Sequence, residues 1–270
     1  MVPKVTTRNA RFQHWQALLT NRATRQRSGE FLVHGVRPIT LAVSHGWDIR
    51  AFLCRDGPRL SNWASGILDQ VHGARFTLAP ELMYELGEKE QGPPELVAVA
   101  AIPDDTLNRI NAGPEMLVVV FDRPSTPGNV GALIRSADAF GASAMIVSGH
   151  GADPYDPKAV RASTGSLFAL PVVRVASHHQ VLRWVEGLRQ SGTPVQVVAT
   201  DEHAQLDVAN YDFGGPKVLL VGNEARGLSA AWREASNQVV RVPVDGSVSS
   251  LNAAMAATVV LYEAARQRRR

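Results

Sequence analysis

Short apolar runs alternate with amphipathic stretches along the whole chain, and this alternation predicts the elements. In the first half, RNARFQHWQALL (residues 8–19) puts Phe12, Trp15 and Leu19 on one helical face. EFLVHG (30–35) reads as a strand, RPITLAVSHG (37–46) as a helix closed by Gly46, and IRAFLC (49–54) as a strand. SNWASGILDQVHG (61–73) follows as a helix, then ARFTLA, PELMYELG and ELVAVAAI (74–102) continue the alternation. That order predicts a small α/β sandwich on a mainly parallel sheet.

The second half repeats the pattern. MLVVVF, SAMIVSG, LPVVRVA, VQVVAT, KVLLVG and QVVRVPV are the strand candidates. Helices are expected at 129–140, 156–164, 178–191, 229–236 and 250–267. The last is Ala-rich and apolar over a wider face than a solvent-facing helix needs, which predicts a core helix or a subunit interface. Between the halves, PDDTLNRINAGP (103–114) is rich in Pro, Gly, Asn and Asp and reads as a linker. The expected domains are 1–104 and 115–270, joined by 105–114.

Composition narrows the class. The chain has 270 residues, 45% of them hydrophobic, enough for real cores. No apolar run approaches the roughly 20 residues that span a bilayer, and the basic start lacks the apolar stretch of a secretory signal. One cysteine, Cys54, fits a reducing compartment, so a cytoplasmic location is expected. The eight His are scattered along the chain and a single Cys excludes a Cys-based zinc set, so no metal site is expected. Net charge is only +3, but Lys4, Arg8, Arg11, Arg22, Arg25, Arg27 and Arg37 crowd the first 37 residues against Glu30 alone. A basic cluster on a near-neutral body predicts a polyanion partner, with RNA contacts at Arg22, Arg25, Arg27 and Arg37.

Ligands in open α/β sheets sit off the carboxyl ends of strands, and three such ends are unusual here. The first is TPGNVGALIRSADAFGA (126–142), where Gly128 and Gly131 allow a tight bend and Asn129 is a candidate cap for a helix carrying Arg135. Asp138, three residues on, is a candidate structural partner for that Arg. The second is LLVGNEARGLS (219–229), with Gly222, Asn223 and Glu224 at the turn. The third is VPVDGSVSSLNAAMAA (242–257), where Pro243 stops the ladder and Ser249, Ser250 or Asn252 caps the long helix. Neither G-x-G-x-x-G nor G-x-x-x-x-G-K-[ST] occurs, which argues against a nicotinamide-dependent dehydrogenase.

In this order, N-x-G-x-x-x-R-x-A-x-x-F-G, G-N-E-x-x-G-L-S and P-x-x-G-S-x-S-S-L-N resemble the SpoU/TrmH family of RNA ribose 2′-O-methyltransferases, in the SPOUT superfamily. The first half resembles the family's ribosomal-protein-like substrate-binding domain. Residues 8–39 are close to the avilamycin-resistance subgroup of ribosomal RNA uridine methylases. Many relatives carry Asp-Pro where Thr126-Pro127 stands, and Glu-Gly where His34-Gly35 stands. The resemblance implies an α/β chain with a trefoil-knotted C-terminal domain, S-adenosylmethionine as cofactor, and a homodimer through that domain. It implies 2′-O-methylation of RNA, of a 23S ribosomal RNA uridine, with antibiotic resistance as a consequence. Transfer RNA as substrate and a non-catalytic ribosomal RNA-binding factor are the alternatives. Arg135, Asn129, Glu224 and Asn252 carry over as catalytic residues, and Gly222, Val242, Leu251, Asn223 and Ser250 as cofactor-binding residues. A ribose hydroxyl holds its proton well above neutrality, so Arg135 is expected either as base or as stabiliser of the developing alkoxide.

Overall fold

The computed structural model describes residues 2–57, 59–71, 73–87, 92–247 and 250–269. Ser249, a cap candidate, lies outside the described residues. The chain divides into two compact units, one of Met1–Pro103 with Tyr155–Ala169, the other of Asp104–Pro154 with Leu170–Arg270.

In the first unit the strands are β1 (Lys4–Val5), β2 (Glu30–His34), β3 (Ile49–Arg55), β4 (Ala74–Leu78) and β5 (Leu96–Ala101). The helices are α1 (Ala10–Thr20), α2 (Arg22–Ser28), α3 (Val36–Ser44), α4 (Asn62–Gln70) and α5 (Pro80–Leu86). The sheet order is β1-β4-β3-β5-β2. β1, β4 and β3 are mutually parallel, but β5 runs antiparallel to both β3 and β2. The sheet is therefore mixed, not mainly parallel: alternation of elements fixes neither which neighbour a strand joins nor the end from which it enters. Phe12, Trp15 and Leu18 of α1 fill one face of the core, so the apolar stripe ends at Leu18, with Leu19 only partly buried against it. Asn21 ends α1 and starts α2, its Oδ1 accepting from Thr24 N at 3.1 Å.

The second unit is wholly parallel. Its strands are β6 (Leu117–Asp122), β7 (Ala144–Ser148), β8 (Val172–Val175), β9 (Gln196–Thr200), β10 (Leu206–Asp207), β11 (Lys217–Val221) and β12 (Gln238–Arg241), ordered β10-β12-β9-β11-β6-β7-β8. β6, β7 and β11 are buried along their whole length, as strands covered on both faces must be. The helices of this unit are α6 (Pro127–Ala139), α9 (His178–Gln190), α10 (Ala230–Glu234) and α11 (Ala253–Arg268); α7 (Pro157–Ser163) and α8 (Ser166–Ala169) lie in the segment that joins the first unit.

That segment leaves between β7 and β8. Its aromatic residues explain where it goes: Tyr155 packs on Phe31 at 4.9 Å between ring centres, and Phe168 meets Trp47 edge-on at 4.9 Å. Trp47 Nε1 also donates to the Phe168 carbonyl at 3.0 Å.

Candidate functional site

Three strand ends of the second unit bring the three unusual stretches together. β6 ends at Asp122, and the chain turns through Arg123, which has a positive φ of 49°. Pro127 fixes the first helical residue, so α6 begins there with Thr126 as its N-cap. Asn129 therefore sits in the first turn and does not cap the helix. The expected Gly bend is also absent: Gly128 lies within α6, where an added Cβ would meet nothing within 4 Å.

Freed from capping, Asn129 joins a directional chain of hydrogen bonds. Its Nδ2 donates to Glu224 Oε1 at 2.8 Å, and its Oδ1 accepts from Asn252 Nδ2 at 3.2 Å. Asn252 Oδ1 in turn accepts from the main-chain nitrogens of Ala254 and Met255 at 3.0 and 3.3 Å, capping α11. An ionised carboxylate only accepts and helix N–H groups only donate, so the two ends fix both amide orientations. Of the three cap candidates for the last helix, Asn252 is the cap.

Glu224 is the junction. It also accepts from Ser125 N at 2.8 Å, Thr126 N at 3.4 Å and Thr126 Oγ1 at 3.3 Å. Burial pushes its carboxyl up, but the hydrogen bonds from Asn129 and Ser125 outweigh burial and hold it below the usual carboxylate range. Such a group is a poor proton acceptor and a good anchor. Thr126 thus gives this anchor both its main-chain nitrogen and its hydroxyl.

The turn carrying Glu224 is built from itself. Asn223 and Gly227 exchange main-chain bonds at 3.1 and 2.9 Å. Asn223 Oδ1 accepts from Ala225 N and Arg226 N, and its Nδ2 donates to the Arg123 carbonyl at 2.6 Å. The Asn223 side chain is thus spent on the turn. Gly222 has a similar reason: a Cβ there would lie 2.6 Å from Gly227 C and Leu228 N. The glycine admits the returning main chain, whatever room it also leaves for a ligand.

A cavity of about 410 Å³ opens at the carboxyl ends of β9, β11 and β12. Gly222, Asn223, Glu224, Val242, Ser250 and Leu251 all line it, alongside Val221, Val244 and Val260 and the carboxylates Asp201 and Glu202. Asn129 and Asn252 reach its edge through Glu224. Arg135 is not drawn in. It lies six residues beyond Asn129, about 120° around the helix, exposed and without a hydrogen bond or ion pair among the described residues, Asp138 included.

Sequence reasoning missed Asp122 and Arg123. Asp122 is 3% exposed; its Oδ2 accepts from Arg123 Nε and Nη2 at 3.1 and 2.9 Å and from Ser229 N at 3.1 Å. This ties the end of β6 to the start of α10. The available signal was an acid closing an otherwise apolar strand.

In the first unit, the basic cluster divides. Arg22, Arg27 and Arg37 are exposed, Arg37 donating Nε to the Thr164 carbonyl at 3.1 Å. Arg25 is 1% exposed, with Nη1 on the Leu18 carbonyl at 2.8 Å and Nη2 3.3 Å from Asp156. Arg25 is a packing residue and leaves the RNA-contact set. Among the described residues no group of His, Cys, Asp and Glu could hold a metal ion, and no helix is long and apolar enough to cross a membrane.

Known proteins fit this architecture. Residues 9–98 match the SpoU L30e-like domain and residues 116–262 the SpoU rRNA methylase family. The 23S rRNA (uridine(2479)-2′-O)-methyltransferase of Streptomyces viridochromogenes is 57% identical over 98% of this chain and 92% of its own. The crystal structure of AviRb from that organism with AdoMet superposes with a TM-score of 0.93, at 57% identity, over 97% of this chain and 98% of its own. An AdoMet-bound rRNA methyltransferase from Sinorhizobium meliloti gives 0.86 at 29% identity, over 98% of each chain. With the family model spanning β6 to α11 and the three motifs joined by one hydrogen-bond chain, this protein belongs to the SpoU rRNA methylase family.

Proposed function

We propose that this chain transfers a methyl group from S-adenosylmethionine to a ribose 2′-hydroxyl of 23S ribosomal RNA, at a uridine. The observation that carries this is the chain Glu224–Asn129–Asn252, which locks all three family motifs around one cavity. The cavity suits the cofactor: apolar Val242, Val244 and Leu251 offer walls for an adenine ring, and Glu202 offers a carboxylate to a ligand bearing sulfonium and ammonium charge, while Asp201 is paired with Arg233 at 3.1 Å. When bound, S-adenosylmethionine supplies a methyl group activated on positive sulfur.

The chain's residues supply placement and charge. Glu224 fixes the start of α6 against the 222–227 turn. Asn129 and Asn252 hold the mouth between α6 and α11. Arg135, exposed on α6, is free to meet RNA; a guanidinium holds its proton too firmly for a base, so it stabilises the developing alkoxide. Arg22, Arg27 and Arg37 of the first unit bind the RNA backbone. Methylation at a drug-binding nucleotide would also confer resistance, read as a raised inhibitory concentration in cells expressing the protein.

We further infer a trefoil knot in the second unit and a homodimer. The knot is supported by α11, which returns after β12 to pack on α6 and β11, with Ser136 Oγ 2.7 Å from Thr258 Oγ1. The dimer is supported by an exposed apolar stripe on α11: Met255, Val259 and Tyr262 are 66%, 39% and 54% exposed. Sedimentation at micromolar protein tests the dimer, and a monomer there contradicts it. The cofactor is tested by thermal shift: S-adenosylmethionine should raise Tm and NAD should not. The opposite pattern would return the chain to the dehydrogenase class.

A further inference from the structure

The first unit contains a second cavity, of about 450 Å³, which the methyl-transfer chemistry does not use. Its walls are apolar and flat: Pro38, Pro94, Pro157 and the half-buried Trp63, with Leu32 and Leu96 at the floor. Two exposed cations, Arg37 and Arg161, line it, and Val36 beside them is 57% exposed. His34 lines the same space, its Nε2 donating to the Leu86 carbonyl at 2.8 Å. The Trp63 ring is held by Nε1 donating to Thr40 Oγ1 at 2.9 Å. Glu95, which also lines the cavity, holds the start of α4, accepting from Ser61 N and Oγ at 3.0 and 2.7 Å.

A concave, mostly apolar site with an indole wall and arginines suits one flat aromatic group bearing an anion. Single-stranded RNA supplies that chemistry: an unstacked base lies on an aromatic face while its phosphate meets a guanidinium. Duplex RNA does not, because its bases are stacked and paired. We propose that this cavity takes a single extruded nucleotide of the RNA substrate, with the base against Trp63 and its phosphate between Arg37 and Arg161. The cavity is then a specificity site, holding a nucleotide other than the one methylated. This rests on the RNA-substrate reading above.

The test is binding of a labelled single-stranded RNA decamer, a blunt-ended RNA duplex and uridine 5′-monophosphate to the full chain. Trp63→Ala should weaken single-strand binding about tenfold, leave duplex binding within twofold, and leave S-adenosylmethionine affinity unchanged. Trp63→Phe should restore most of the loss. Equal loss on both RNAs, no loss, or failure of Trp63→Phe to rescue would overturn the proposal. Uridine monophosphate saturating the site while the single strand does not compete would also overturn it, assigning a free nucleotide. Wild-type protein that binds no RNA would instead refute the substrate reading. Should Trp63→Ala fail to fold, 4-thiouridine crosslinking of the wild type decides: the crosslink should fall on the tryptic peptide from Leu60 to Arg75, and its absence there would overturn the site.

Discussion

Gly222→Ala separates two explanations of one glycine. The added Cβ would lie 2.6 Å from Gly227 C and from Leu228 N, and 2.9 Å from Gly227 Cα. All three are main chain, and main chain cannot swing aside as a side-chain tip does. The 223–227 turn must open, and it carries Glu224. Overpacking of this kind costs about 1–3 kcal/mol. At roughly 2–4 °C of Tm per kcal/mol for a domain of this size, Tm should fall by about 2–12 °C. Because the turn also lines the cavity, S-adenosylmethionine affinity and methyl transfer should fall with it. Scanning calorimetry and isothermal titration on the same preparation measure both. Gly246→Ala is the control, since its Cβ would meet nothing within 4 Å. An unchanged Tm with weakened cofactor binding would refute the steric reasoning and leave ligand room as the glycine's sole purpose.

Three further outcomes are expected. Arg135→Ala should cut methyl transfer by at least about 100-fold with Tm and cofactor affinity unchanged, and Arg135→Lys should rescue poorly; near-normal turnover, or joint loss of Tm and cofactor binding, would remove its catalytic role. Arg25→Met should cost about 1–3 kcal/mol of stability, because the Leu18 carbonyl loses its partner, whereas Arg22→Ala with Arg27→Ala should spare Tm and lower the salt slope of RNA binding by about 2; the reverse pattern in melting and salt titrations would contradict the division. The depressed Glu224 carboxyl implies that the unfolded chain binds its proton more readily, so its stabilisation is present above the ordinary carboxylate range and is lost as pH falls through the folded value; Glu224→Gln should flatten that part of the stability profile, and an unchanged profile in denaturant titrations would sink the anchor role.

Much of the fold was legible because its elements are long and strongly patterned. The six strand candidates of the second half are all strands, and the runs of the first half become β2 to β5 and α1 to α5, apart from α2. What escaped is short or polar. β1 and β10 have two residues each and no period to read, and α2 is RATRQRS, without an apolar stripe. Strand direction in the first sheet escaped because β5 enters from the opposite end. At the site, sequence brought out Asn129, Glu224 and Asn252 but not their connection, which depends on Pro127 starting α6 early and freeing Asn129. Arg25 reads like its exposed neighbours in sequence; the Leu18 carbonyl and Asp156, which lies on the segment that returns to the first unit, hold it inside.

The most direct test is to incubate purified protein with methyl-labelled S-adenosylmethionine and unmodified 23S ribosomal RNA, then map the label by nuclease digestion and alkaline hydrolysis. The expected result is one labelled uridine whose 3′ linkage resists alkali, as only a blocked 2′-hydroxyl does, with label lost in Asn129→Ala. Label on a base, or none despite saturating cofactor, would contradict ribose 2′-O-methylation as the activity.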